Sequence, residues 1–127
     1  MQRVNTPVRR SAAAQSRLVV VREALLAVCE GQWEQARGAL TRQPELTRRD
    51  PVLLNLLGVV CQASGQWTQA RRYYGRAMRK DRHYAPATDN MRRLYELCTL
   101  GSAGRIRLGD ERPALAMLLR QRSVYNR

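Results

Sequence analysis

The residues of this chain that could carry out chemistry are few, and their spacing fits no common catalytic or metal site. His83 is the only histidine of the 127 residues, and it follows Asp81 and Arg82 between two apolar periodic segments. A catalytic site needs a nucleophile or base beside a group that orients it. No nucleophile elbow, zinc-ligand spacing, P-loop or dinucleotide fingerprint is present. The sequence therefore predicts no enzyme activity, no metal and no cofactor, and His83 is interpreted as a solvated turn residue.

The cysteines are predicted to be structural. Cys29, Cys61 and Cys98 are an odd number without a C-x-x-C pair, which argues against a disulfide framework and favours a reducing compartment. Each is flanked by apolar helical sequence, so each is expected to be a small buried hydrophobic side chain.

Anion binding is the chemistry that the composition favours. Lysine and arginine total 23 against 10 acidic residues, a formal charge of +13. Such an excess attracts nucleic acid, anionic membranes or acidic protein surfaces, and the planar arginine fork suits phosphate and carboxylate. One predicted helix carries its cations on a single face, which is either a solvated outer face or an anion or nucleic-acid contact. The residues of this face are Arg72, Arg76, Arg79 and Lys80.

An internal repeat predicts the elements that position these residues. The segment 31–37, GQWEQAR, returns as GQWTQAR at 65–71, with six of seven positions identical. Asp50 and Pro51 are a typical helix start, and Gly65 can adopt the left-handed conformation that ends a helix. Apolar residues recur between them at three- and four-residue steps, and an amphipathic pattern follows over 67–80. The unit is therefore a helix–turn–helix.

The repeat resembles a tetratricopeptide repeat, whose pattern is W-x₂-L-G-x₂-Y…A-x₃-F…P with a period of 34, the same as the spacing of the two copies here. The residues that carry the resemblance are Leu54, Leu57, Gly58, Cys61, Gly65, Ala70, Tyr74 and Ala77. Leu54 replaces the aromatic residue, Cys61 the tyrosine, and Arg82 the proline. The resemblance implies two antiparallel helices that approach closely at small residues, with Tyr74 filling the space between successive units.

The predicted fold is all-α, a short tetratricopeptide-type solenoid of two clear repeats, a partial third and a C-terminal capping helix. The expected helices of the first unit are about 16–30 and 32–43, that of the third about 84–98, and the capping helix about 110–121. Residues 1–15 are predicted to be a basic arm, either disordered or a targeting segment. Residues 16–122 are the helical domain, and 123–127 are a basic tail.

The resemblance also implies a partner site, because the first helices of successive repeats in this family line a concave groove for a peptide or helix. The matching positions are Leu18, Val21, Leu25, Val52, Asn55, Val59, Gln62, Asp89, Arg93 and Glu96. The predicted function is a protein–protein interaction module, an adaptor, scaffold or small chaperone whose partner is a peptide or helix, acidic or not. The N-terminal arm or a second copy in a homodimer is an equal candidate to cover the apolar end.

One role of the family is not expected. Cochaperones that grip acidic chaperone tails use Lys, Asn and Arg at set groove positions, and the equivalent positions here offer only one suitable side chain, Asn90. The others are Val21, Leu25, Leu56 and Pro86.

The competing hypothesis is a basic subunit of a nucleic-acid-containing or other large assembly, which contacts RNA, DNA or acidic protein through the Arg-rich face. No recognisable nucleic-acid module supports it.

No membrane span is predicted, since the longest early apolar run, 18–21, is too short. A cytoplasmic location is expected, or a mitochondrial or plastid matrix if the Arg-rich, acid-free residues 1–22 are a transit segment.

Overall fold

Six helices packed antiparallel form the part of the chain that the computed structural model describes, which is residues 5–100 and 108, with side chains from 14 to 99 and at 108. The helices are α1 Asn5–Cys29, α2 Trp33–Thr41, α3 Pro44–Arg49, α4 Pro51–Ala63, α5 Trp67–Lys80 and α6 Ala85–Leu100. No strand occurs within those residues. The predicted all-α class is confirmed over this range. None of these helices is long and apolar enough to cross a membrane.

The helix boundaries differ from the predicted ones at two places. α1 begins at Asn5, well before the predicted start near residue 16, so 5–15 are helical. α3, a six-residue helix between α2 and α4, was not predicted at all. The expected capping helix at about 110–121 and the tail 123–127 lie outside the described residues.

The start of α4 follows from its flanking residues. Asp50 caps the helix: its Oδ1 accepts a hydrogen bond from the Val52 N–H at 2.9 Å, and Pro51 occupies the first turn, as predicted. The other carboxylate oxygen accepts a charge-assisted hydrogen bond from Nε of Arg17 in α1. Asp50 therefore connects the first helix to the start of the fourth.

The turns that follow α1 and α4 have the same backbone conformation. Gly31 and Gly65 have φ values of 71° and 78°, a region that glycine adopts without steric penalty. In both turns the residue after the glycine donates its N–H to the carbonyl five residues earlier, and both N···O distances are 2.8 Å. The predicted left-handed conformation of Gly65 is confirmed, and Gly31 shares it.

α4 lies at the centre of the core and packs most extensively against α5. Every residue from 53 to 62 is buried. The closest approach is at Gly58, where a Cβ atom would lie 3.0 Å from Cζ of Tyr74 and nearer still to other atoms of that ring. The fully buried Tyr74 therefore packs inside its own hairpin. The equivalent positions of the first hairpin hold Ala24 and Leu40, which are also fully buried.

α6 packs on α5 and on the C-terminal half of the core. A small apolar cluster of Leu54, Ala77 and Ala87 lies where α4, α5 and α6 meet. A buried amide pair joins α6 to α4: Nδ2 of Asn90 donates to Oδ1 of Asn55 at 2.9 Å. Both amides are fully buried, so this hydrogen bond is shielded from water.

Candidate functional site

The positions predicted to line a concave groove are divided between the core and the surface. Five of the ten are buried, namely Val21, Leu25, Asn55, Val59 and Gln62. Three of these five belong to the main hydrophobic cluster, which also contains Leu108, a residue that follows α6 in the chain. A partner can therefore reach these five side chains only if residues of the core are displaced.

The two polar groove positions on α4 are used inside the protein. Gln62 Oε1 accepts a hydrogen bond from the Tyr74 hydroxyl at 2.7 Å, and Asn55 accepts from Asn90. Burial raises the pKa of Tyr74 above its ordinary range, so the phenol stays protonated and donates at any physiological pH. These two side chains stabilise helix packing instead of facing a ligand.

The other five groove positions are accessible to different degrees. Leu18 is 49% exposed. The remaining four are partly buried: Val52, Asp89, Arg93 and Glu96. Asp89 accepts a hydrogen bond from Arg92 at 3.3 Å on the same helix, and the buried Nη1 of Arg93 has no hydrogen-bond partner among the described residues. Because Asp89, Arg93 and Glu96 are charged, these four residues do not form a continuous apolar strip with Leu18.

An open cleft of about 450 Å³, here called the basic cleft, lies elsewhere on the molecule, where the C-terminal ends of α3 and α5 approach each other. Its lining residues are Arg48, Arg49, Arg76, Arg79 and Lys80, so every lining side chain is a cation. Arg48 also donates to Glu45 at 2.9 Å on the exposed side of α3. Five like charges therefore share one open cleft.

Helix electrostatics explain part of this arrangement. Arg48 and Arg49 are in the last turn of α3, and Arg79 and Lys80 in the last turn of α5, where cations interact favourably with the negative end of the helix dipole. The dipole stabilises each pair on its own helix but gives no reason for two such ends to converge. Convergence brings like charges together, and their mutual repulsion is unfavourable for the folded state.

A second cavity of about 170 Å³, here called the apolar recess, adjoins the basic cleft. Its apolar lining residues are Leu40, Pro44, Leu54, Leu57 and Tyr73, and it shares Arg48 and Arg76 with the cleft. The guanidinium of Arg76 lies 5.5 Å from the centre of the Tyr73 ring, within cation–π range. An apolar hollow and a cationic cleft therefore meet at two arginines.

The predicted cationic face agrees with the cleft in three residues of four. Arg76, Arg79 and Lys80 line it, whereas Arg72 is exposed outside it. Arg48 and Arg49 were missed because α3 was not predicted. The signals for α3 were proline at its start, Glu45 in its first turn and two arginines in its last turn.

The residues considered for chemistry are not assembled into a site. His83 is exposed in the turn between α5 and α6, and no group of three or more His, Cys, Asp or Glu side chains in the described part of the chain is placed to hold a metal ion. Cys29 and Cys61 are buried as expected, but Cys98 is exposed, so the expectation was wrong for it. Burial raises the pKa of Cys61, opposed by Arg37 at 3.9 Å from its sulfur.

Comparison with known proteins returned no match of any kind: no family model, no curated protein sequence and no solved structure is significantly similar to this chain.

Proposed function

We propose that this protein is a non-catalytic binding module, built as a short tetratricopeptide-type repeat, that binds an acidic segment of another protein in the basic cleft. The observation that carries the proposal is the convergence of five cations on one open cleft with no carboxylate in its lining. A polyanion that binds there neutralises their mutual repulsion and so binds the folded state in preference to the unfolded chain.

The repeat architecture is supported by the two equivalent turns. Gly31 and Gly65 occupy the same position in the two copies of the repeated segment, and their turns share φ and hydrogen-bond length. In repeat proteins, binding surfaces often lie on the connections between units. α3 is such a connection, because it follows the first helical hairpin and precedes the second. The proposed binding surface therefore includes residues of the connection between the two hairpins.

The cleft is a better docking site than the concave positions that the resemblance implied. A partner at Val21, Leu25 or Val59 would have to displace side chains that already pack in the core. The cleft needs no such rearrangement, and burying its cations against carboxylates gives charge-assisted hydrogen bonds.

Nucleic-acid binding is the second candidate, and the formal charge of +13 favours it. Proteins that bind single-stranded nucleic acid combine cations with aromatic side chains on which bases stack. Tyr73 is the one aromatic residue in the lining of the cleft and the recess, and Arg76 already lies over its ring. Carboxylates need only the cations, so an acidic protein segment fits the site better.

The proposal is tested with a variant that removes three cleft cations, Arg49→Gln, Arg76→Gln and Arg79→Gln. The matched control, Arg22→Gln, Arg72→Gln and Arg82→Gln, has the same net charge but changes exposed arginines outside the cleft. Fluorescence anisotropy measures binding of labelled octaglutamate and of a labelled oligouridylate, and circular dichroism checks the fold. We expect octaglutamate affinity to fall roughly tenfold in the cleft variant, since each lost surface ion pair contributes about 0.2–1 kcal/mol.

The control variant should keep its octaglutamate affinity within a factor of about two. Equal losses in both variants would mean that net charge alone drives binding and that the cleft is not a site. If octaglutamate does not bind while oligouridylate does, with the same dependence on the cleft, the nucleic-acid candidate replaces the proposed one.

A further inference from the structure

We propose that the apolar recess is the specificity pocket of the basic cleft, and that the preferred partner is an acidic segment with one large apolar side chain among its carboxylates. This inference rests on the proposed function, because it assumes that an acidic protein segment occupies the cleft. It adds what distinguishes one acidic segment from another.

The recess and the basic cleft are contiguous. Arg48 and Arg76 line both cavities, so a chain whose carboxylates bind these two guanidinium groups lies with its neighbouring side chain at the mouth of the recess. The volume of the recess, about 170 Å³, suits a single side chain, since an apolar cavity of about 150 Å³ accommodates benzene.

The lining residues of the apolar recess determine which kind of side chain it can accept. Leu40, Leu54 and Leu57 form the floor of the recess and are at most 3% exposed, so the apolar surface that a ligand can cover belongs mainly to the exposed Pro44 and the half-buried Tyr73. The two threonines in the lining use their hydroxyl protons inside the protein: Thr47 donates to the Leu40 carbonyl at 2.5 Å, and Thr41 to the Arg37 carbonyl at 2.8 Å. Neither hydroxyl proton is left to read the polar edge of a base.

Charge and apolarity side by side favour an occupant with the same two properties. A polyanion that is polar throughout would satisfy the cleft but leave the apolar recess hydrated. An apolar side chain next to the carboxylates removes its own surface and that of the recess rim from water, which contributes in proportion to the area buried. The two cavities together therefore select a mixed acidic and apolar segment over a purely acidic one.

The test compares labelled peptides EEELEEE and EEESEEE on the unchanged protein by fluorescence anisotropy. We expect the leucine peptide to bind roughly tenfold more tightly, the effect of burying one large aliphatic side chain. Thr41→Phe, which adds a ring at the exposed rim of the recess, should remove this difference between the two peptides by occupying the space for the leucine side chain. Thr68→Phe, at an exposed threonine in another cavity, on α5, is the control and should retain the difference.

The outcomes separate this inference from the proposed function. If both peptides bind equally and depend on the cleft arginines, the specificity pocket is refuted while the proposed function stands. If neither peptide binds, the proposed function itself fails. If Thr41→Phe weakens an oligouridylate more than the leucine peptide, a base occupies the recess and the inference is overturned.

Discussion

The two helical hairpins, α1–α2 and α4–α5, are joined by turns of the same conformation but pack through different side chains. In the second hairpin Gly58 lacks a side chain, and the Tyr74 ring fills the space. In the first, the corresponding positions hold Ala24 and Leu40, both fully buried. A larger residue on one helix is thus matched by a smaller one on the other. The two hairpins therefore share the volume that fills the space between their helices and not the residues that supply it, as expected for cores that tolerate exchanges at constant total volume.

Gly58→Ala should change the stability of the protein most, because it places a methyl group where the Tyr74 ring packs. Alanine favours a helix over glycine by about 1 kcal/mol, but its Cβ would overlap a ring that is fully buried and hydrogen-bonded to Gln62. Overpacking costs about 1–3 kcal/mol, and the overlap with a buried ring favours the upper end of that range. After the helix gain we expect a net loss of about 2 kcal/mol in the free energy of unfolding. Urea denaturation followed by circular dichroism measures it.

The residue pair of the first hairpin, Ala24 and Leu40, can be introduced at the equivalent positions of the second hairpin. Gly58→Ala with Tyr74→Leu should be less destabilised than the sum of the single variants, with a coupling of at least about 1 kcal/mol. Simple additivity of the two changes would contradict the interpretation that volume is compensated between these positions.

A smaller effect is expected at the turns, and it should be the same in both hairpins. Alanine at Gly31 or Gly65 would adopt a left-handed conformation, which costs about 1–2 kcal/mol, partly offset by a less flexible unfolded chain. We expect each variant to lose about 1 kcal/mol and asparagine at either position to lose less. Chemical denaturation of all four variants tests this, and clearly unequal losses at the two glycines would show that the turns are not equivalent.

The smallest effect is a gain in stability from Gly38→Ala in α2. Position 38 corresponds to Arg72 of the second hairpin, a better helix former. Apart from its chain neighbours and the backbone of its own helix, no atom lies within 4 Å of a Cβ placed there. We expect stabilisation of about 0.5–1 kcal/mol, the ordinary difference between glycine and alanine in a helix. A thermal melt suffices, and a loss of stability would mean that Gly38 has a packing role that its open surroundings do not indicate.

Local sequence signals were enough to predict the second hairpin and the start of α4. The helix start depends on Asp50 and Pro51, and the helix end depends on Gly65. Each affects only the backbone next to it, so its role follows from residue type and spacing alone. The short α3 offered no periodicity, because a helix of six residues completes fewer than two turns. Its arginines consequently went unrecognised as part of a site.

The candidate groove shows the limit of such signals. Helical spacing indicates which residues share a face, but it does not indicate what covers that face. Val21, Leu25 and Val59 share a cluster with Leu108, which is far away in sequence, and Asn55 is buried by contact with α6. The basic cleft depends likewise on the approach of two helix ends that are distant in the chain, those of α3 and α5. Which residues cover the groove positions, and which helix ends lie side by side, are known only from the tertiary structure.

The buried Asn55–Asn90 hydrogen bond determines the alignment of α6 along α4. Apolar side chains tolerate sliding, since one aliphatic contact resembles the next, whereas a hydrogen bond between two amides holds at a single offset. A slip of α6 by one helical turn would move Asn90 about 5.4 Å along the axis and break the bond. Because a lost partner at each buried amide costs about 1–3 kcal/mol, misaligned states are disfavoured, and the hydrogen bond gives α6 a unique position along α4.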